Sequence, residues 1–152
     1  MLKVNRKVDY GMVALKHMMH KPKDQLTSVR EICDNYGTPF DPVAHVLRIL
    51  NSEGLVKSEQ GAHGGYRLVE DIHGVPLARF IEMIEGQVAF TDCLREDGCR
   101  CNMTARCNII NPMHHLNNQL LQFLESMTLG QLLDQGPLPG TVAGAPETGT
   151  AV

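Results

Sequence analysis

Three observations predict a mainly α fold with a small β-wing, a winged helix-turn-helix that carries a long dimerisation helix. Two short amphipathic stretches are joined by a tight connection, a Gly-rich hairpin follows them at once, and a wide apolar stripe recurs late in the chain. A length of 152 residues with 43% apolar content suits one ordinary domain with an appended helix. No apolar run approaches the roughly 20 residues that cross a bilayer. Met1-Leu2-Lys3-Val4-Asn5-Arg6-Lys7 leads into an amphipathic pattern and not into the apolar core of a signal peptide. A cytoplasmic protein without a membrane partner is expected.

The first helix is predicted over Val8 to His20, with Val8, Met12, Leu15 and Met19 on one face and Asp9 beside that stripe. After the Lys21-Pro22-Lys23-Asp24 loop, Ser28-Val29-Arg30-Glu31 reads as a capping box that starts a second helix facing Val29, Ile32 and Cys33 inward. Tyr36-Gly37 ends it. Asp41 as N-cap and Pro42 at the first helical position announce a third helix that buries Val43, Val46, Leu47 and Leu50. Its outer face shows Ala44, His45, Arg48 and Asn51, the arrangement by which the second helix of a helix-turn-helix enters the major groove.

Leu55 to Ser58 and Tyr66 to Val69 read as strands, with Gly61-Ala62-His63-Gly64-Gly65 as the hairpin tip. Such a tip can approach the DNA backbone closely, and His63 or Arg67 can reach the minor groove. The candidate DNA-binding residues are therefore Ser28, Asp41, Pro42, His45, Arg48, His63, Gly64 and Arg67. A fourth helix is expected from Pro76 to Glu85, burying Leu77, Phe80, Ile81 and Ile84 and stopped by Gly86. Pro112 opens a longer helix whose Leu116, Leu120, Phe123, Leu124 and Met127 are too many for one helix to bury alone, so a homodimer is expected. This divides the chain into a DNA-binding domain at 1–86, a cysteine-rich loop at 87–110, a dimerisation helix with a short terminal helix at 111–134, and a disordered Gly/Pro/Ala/Thr tail at 135–152.

Four of the five cysteines, Cys93, Cys99, Cys101 and Cys107, fall in one polar loop together with Arg95, Arg100 and Arg106. Thiolates bind metal, and the arginines would offset their charge, so an iron–sulfur cluster or a zinc ion leads over two disulfides, which belong to small secreted chains. Cys33 reads as a core residue. The net charge of −3 is uneven: residues 1–70 carry 10 Lys and Arg against 8 acids, and residues 71–152 carry 4 against 9. A mildly basic front half is compatible with DNA binding. No phosphate loop or nucleophile motif is present, so an enzyme is not expected.

Lys7-Val8-Asp9-Tyr10, Ser28-Val29-Arg30-Glu31-Ile32, Glu53-Gly54-Leu55-Val56, Gly61-Ala62-His63-Gly64-Gly65-Tyr66-Arg67-Leu68, Ile84-Glu85-Gly86 and the clustered cysteines together resemble the Rrf2 family of bacterial winged-helix regulators, which includes IscR-, NsrR- and RirA-like members. The resemblance spans residues 1–134. It implies a homodimeric transcriptional regulator, a repressor on double-stranded operator DNA, with a [2Fe–2S] or [4Fe–4S] cluster that senses iron, nitric oxide or redox stress. Cys93, Cys101 and Cys107 match the family spacing C-x7-C-x5-C, which leaves Cys99 extra; the trio Cys93, Cys99 and Cys107 gives C-x5-C-x7-C. The histidine that completes the site in IscR-like members is Ile110 here, whereas Asp9 stands where NsrR-like members supply an acidic ligand from the other subunit. Cys99 or Asp9 would thus complete the set. Gln60 replaces the arginine common before the wing glycines, and Ala44 stands where a base-reading glutamate does in IscR-like members. Two rival readings remain: the same fold as a zinc or thiol–disulfide sensor, and a cluster-bearing redox protein that does not bind DNA.

Overall fold

The computed structural model describes residues 5–95 and 101–135; Cys99, Arg100 and the tail at 136–152 lie outside them. The elements run α1 (Arg6–Met19), α2 (Val29–Tyr36), α3 (Phe40–Ser52), β1 (Val56–Glu59), β2 (Gly65–Leu68), α4 (Leu77–Glu85), α5 (Ile110–Ser126) and α6 (Leu129–Leu133). Short 3-10 turns occupy Ile72–Gly74, Asp92–Leu94 and Thr104–Arg106. This is the expected mainly helical architecture with a two-stranded wing.

Helix α1 begins two residues earlier than expected because the Asn5 side chain accepts a hydrogen bond from the Lys7 amide at 3.2 Å. Its buried face is Val8, Gly11, Ala14, Leu15 and Met18, while Met12 and Met19 are only half-buried. The seam is centred on small residues because α3 and α4 pass close by. A β-carbon at Gly11 would lie 2.9 Å from Phe80 Cζ and 3.2 Å from Val46 Cγ1.

Ser28 caps α2 as expected, its hydroxyl accepting from the Glu31 amide at 3.1 Å. The Glu31 carboxylate is engaged by α1 and the loop after it: Oε1 accepts from His17 Nε2 at 2.8 Å and pairs with Lys21. Burial opposes the charge on Glu31, but these bonds outweigh it and hold the carboxyl below its usual range. Since a carboxylate only accepts, His17 carries its hydrogen on Nε2, and Tyr36 donates to Nδ1 at 2.9 Å when the ring is neutral. One polar node thus ties both ends of α2 to α1.

The hairpin is antiparallel with Val56 opposite Leu68, Lys57 opposite Arg67, Ser58 opposite Tyr66 and Glu59 opposite Gly65. Thr27, just before the α2 cap, exchanges both backbone hydrogen bonds with Tyr66, at 2.8 and 2.9 Å. Gly65 permits that approach, since a β-carbon there would sit 2.7 Å from the Thr27 carbonyl oxygen. At the other strand the Ser58 amide donates to Asn51 Oδ1 at 2.8 Å. The wing is therefore fixed to both helices of the helix-turn-helix.

Phe80, Leu15, Ile32, Leu47, Leu50 and Leu55 are fully buried in one core, which Leu129 and Leu133 of α6 join. The returning chain is stitched by Leu77 N to Met127 O and Leu129 N to Val75 O, both 2.8 Å. His73 adds a side-chain clasp, with Nε2 2.7 Å from Asp134 Oδ2 and Nδ1 3.0 Å from Asp71 Oδ1. Asp134, then Asp71, raises the pKa of His73 above its usual value. A raised imidazole contributes stability below its unfolded value, about 6.5, and loses it as pH rises through the folded value. The thermal midpoint of wild type should accordingly exceed that of His73→Gln at pH 6 by more than it does at pH 8.5. An equal gap at both would show that the clasp carries no proton-linked stability. Among the described residues, no helix is long and apolar enough to cross a membrane.

Candidate nucleic-acid interface and cysteine segment

Gly37, in the left-handed region at φ 63°, caps α2 and turns the chain into α3. The start of α3 departs from expectation. Pro39, extended at φ −71° and ψ 138°, is the N-cap, and Asp41 and Pro42 lie inside the first turn. The missing amide of Pro42 costs no helical bond there, because first-turn amides have no intrahelical acceptor. The expected core positions Val43, Val46, Leu47 and Leu50 are all buried. On the opposite face Asp41, His45 and Arg48 are exposed, and Ala44 is half-buried. Asn51, at the far end, serves β1.

In the wing His63 is exposed at the tip, and Gly64 closes the tip by donating to Gly61 O at 3.0 Å. Arg67 has an unexpected partner, its Nε lying 2.9 Å from Glu59 Oε1. The two are diagonal neighbours in the register, where long side chains meet. Such exposed pairs contribute roughly 0–1 kcal/mol, so this one positions the guanidinium more than it stabilises the sheet. Ser28 is half-buried and occupied as a cap.

The cysteine segment joins α4 to α5. Cys93 sits in the 3-10 turn at Asp92–Leu94, half-buried, with its Sγ 3.1 Å from Thr91 Oγ1. A hydroxyl so placed can donate to a thiolate, which suits a metal-bound sulfur. Cys101 is exposed, and Cys107 is half-buried at the end of the Thr104–Arg106 turn, three residues before α5. Arg106 is exposed beside it. Asp9 is exposed on the first turn of α1, and Cys33 is half-buried against the core, as expected. Among the described residues, no three His, Cys, Asp or Glu side chains converge to hold a metal ion within one chain. The thiol donors fit a soft metal or cluster.

Helix α5 buries a polar residue. Asn117 is 8% exposed, and its Oδ1 accepts from the Phe90 amide at 2.9 Å, which holds the start of the cysteine segment against the helix. Between α4, this segment and α5 lies a cavity of about 430 Å³ lined by Ile81, Glu85, Phe90, Asn117, Leu120 and Phe123. Phe123 remains 56% exposed, while Leu116, Leu120 and Leu124 are half-buried. The late stripe is thus covered only in part within one chain. Sequence reasoning missed Asn117, the Asn51 bond and the Thr27 bridge; the Arg67–Glu59 pair was readable from strand register alone.

A family model described as "Iron-dependent Transcriptional regulator", under the name Rrf2, matches residues 4–135. The HTH-type transcriptional regulator NsrR of Shouchella clausii is 24% identical over 125 residues, which cover 82% of this chain and 84% of that protein. Among solved structures, CymR, the global cysteine regulator of B. subtilis, superposes with a TM-score of 0.66 at 24% identity, covering 88% of this chain and 97% of its own. IscR of T. potens does so at 0.62 and 24%, covering 94% of each.

Proposed function

The chain belongs to the Rrf2 family of transcriptional regulators, which are not enzymes, and from that premise we propose a cytoplasmic, homodimeric repressor whose hold on operator DNA is set by an iron–sulfur cluster. The thiolates of Cys93, Cys101 and Cys107 would hold it, with Cys99, or Asp9 of the partner subunit, as the fourth donor. When bound, the group would supply a coordination bond set that iron shortage, nitric oxide or oxidation can break. The observation that carries this reading is where the thiols sit: Cys93 and Cys107 bracket the connection into α5, the helix whose apolar face is left half-covered. A second copy covering that face would bring two α3 helices to the spacing of one DNA turn, about 34 Å. The Phe90–Asn117 bond ties the cysteine segment to α5, α5 packs on α4, and α4 packs on α1 and α3.

The test is anaerobic purification followed by an absorption spectrum, iron and sulfide counts per chain, and duplex binding before and after iron removal. Matched iron and sulfide with tighter binding in the loaded protein is expected. Colourless protein whose DNA binding follows zinc or oxidant would instead support thiol or zinc sensing, a reading favoured by the exposure of Cys101. Binding that is the same loaded and stripped would remove the switch.

The wing makes a separate prediction. Glu59→Gln releases Arg67 and removes a negative charge near DNA, so affinity for any duplex should rise several-fold. The slope of log affinity on log salt should steepen by about one. An unchanged slope would show that Arg67 does not meet phosphate.

A further inference from the structure

The turn of the helix-turn-helix is bracketed by two exposed aromatic side chains, Tyr36 at 49% and Phe40 at 52%. They are not equivalent. Tyr36 is held, its hydroxyl 2.9 Å from His17 Nδ1 and its ring edge-on to the imidazole with centroids 5.5 Å apart. Phe40 is the first residue of α3 and is not among the side chains packed against the core. A lone exposed aromatic is ordinary. Its setting is what gives this one meaning.

A helix N-terminus commonly grips phosphate with its free amides. Here that use is weakened. Pro39 and Pro42 carry no amide hydrogen, and Asp41 places a negative charge in the first turn. The tip of α3 therefore keeps only the Phe40 and Asp41 amides as first-turn donors, beside a carboxylate that disfavours phosphate, while presenting one phenyl ring. In the major groove these match base edges: the carboxylate accepts from a cytosine amino group, and the apolar partner is the thymine methyl.

We propose that Phe40 is a specificity-determining residue that reads a thymine C5-methyl in each half-site. The proposal rests on the reading above that α3 enters the major groove. Phe40 makes this contact without a hydrogen bond, so it responds to the methyl group and to nothing else on that base. Asp41 beside it sets a preference for a neighbouring cytosine.

The experiment begins with a duplex selected by the wild-type protein, anaerobically purified, from a randomised library. Single thymines of one half-site are then replaced by deoxyuridine, which deletes only the methyl. One replacement should weaken wild-type binding about fourfold, the worth of one buried methyl group. Phe40→Ala should bind the parent duplex about tenfold more weakly, ignore that same replacement, and keep the wild-type salt slope. Because Phe40 is exposed, an unchanged thermal midpoint is expected and is measured alongside. A fourfold loss that persists in Phe40→Ala, or no thymine that matters to wild type, overturns the proposal and leaves DNA binding intact. Failure of wild type to enrich any sequence overturns the DNA-binding reading and this one together.

Discussion

Cys107→Ala should leave a colourless protein that carries no iron and binds its operator about 5- to 150-fold more weakly, the usual range of coupling between two sites. The effect is large because Cys107 ends the Thr104–Arg106 turn and stands three residues from the first turn of α5, so a donor lost there frees the base of the helix. Cys33→Ala is the matched control. Its thiol lies on α2 against the core, so the colour should survive, with a stability loss of roughly 1 kcal/mol for the smaller side chain. Visible absorbance, iron content and fluorescence-polarisation titrations separate the two. Retention of full colour by Cys107→Ala would exclude it as a ligand and transfer the role to Cys99 with Cys93 and Cys101.

The second large effect is on the core. Phe80→Ala should cost about 3–5 kcal/mol in urea unfolding, since the ring is fully buried where α1, α3 and α4 meet. Gly11→Ala alone should also destabilise. Its methyl would press on Phe80 Cζ and Ile84 Cδ1, and overpacking of about 1–3 kcal/mol exceeds the roughly 1 kcal/mol that alanine gains over glycine in a helix. In the Phe80→Ala background the tightest of its contacts is gone while Ile84 Cδ1 and Val46 Cγ1 stay, so Gly11→Ala should cost less there than in wild type. Additive losses in the double variant would show that the two residues do not share that contact.

Much of this architecture was legible because large apolar residues at helical spacing mark buried faces. Val43, Val46, Leu47 and Leu50 in α3, and Leu77, Phe80 and Ile84 in α4, are buried as the pattern requires. The α1 stripe was displaced for the same reason: weight fell on Met12 and Met19, whereas the close seam uses Gly11 and Ala14, which no count of bulky groups picks out. The α3 start was misplaced because Asp41-Pro42 imitates a cap. In space, Pro39 already provides the extended residue. Glu31 satisfied the spacing of a capping box, but His17 and Lys21 from elsewhere in the fold compete for its carboxylate. Long-range partners are invisible to local pattern. At the candidate site the sequence located the thiols and the outer face of α3, and what it could not supply was Asn117 reaching back across the segment to Phe90.

The docking of α6 bears on how such regulators can be recombined. Leu129 and Leu133 fill the same interior as Val8 and Phe80, and Val75 and Leu77 share backbone bonds with Met127 and Leu129. A chimaera that joins the reading head of this chain to another sensor just after Gly86 would leave those positions empty and the Leu77 amide and Val75 carbonyl unpaired. The stretch between α4 and the end of α5 is instead held at both ends by the same interior, so an exchange that preserves the fold must replace it between those two anchors and not as a tail.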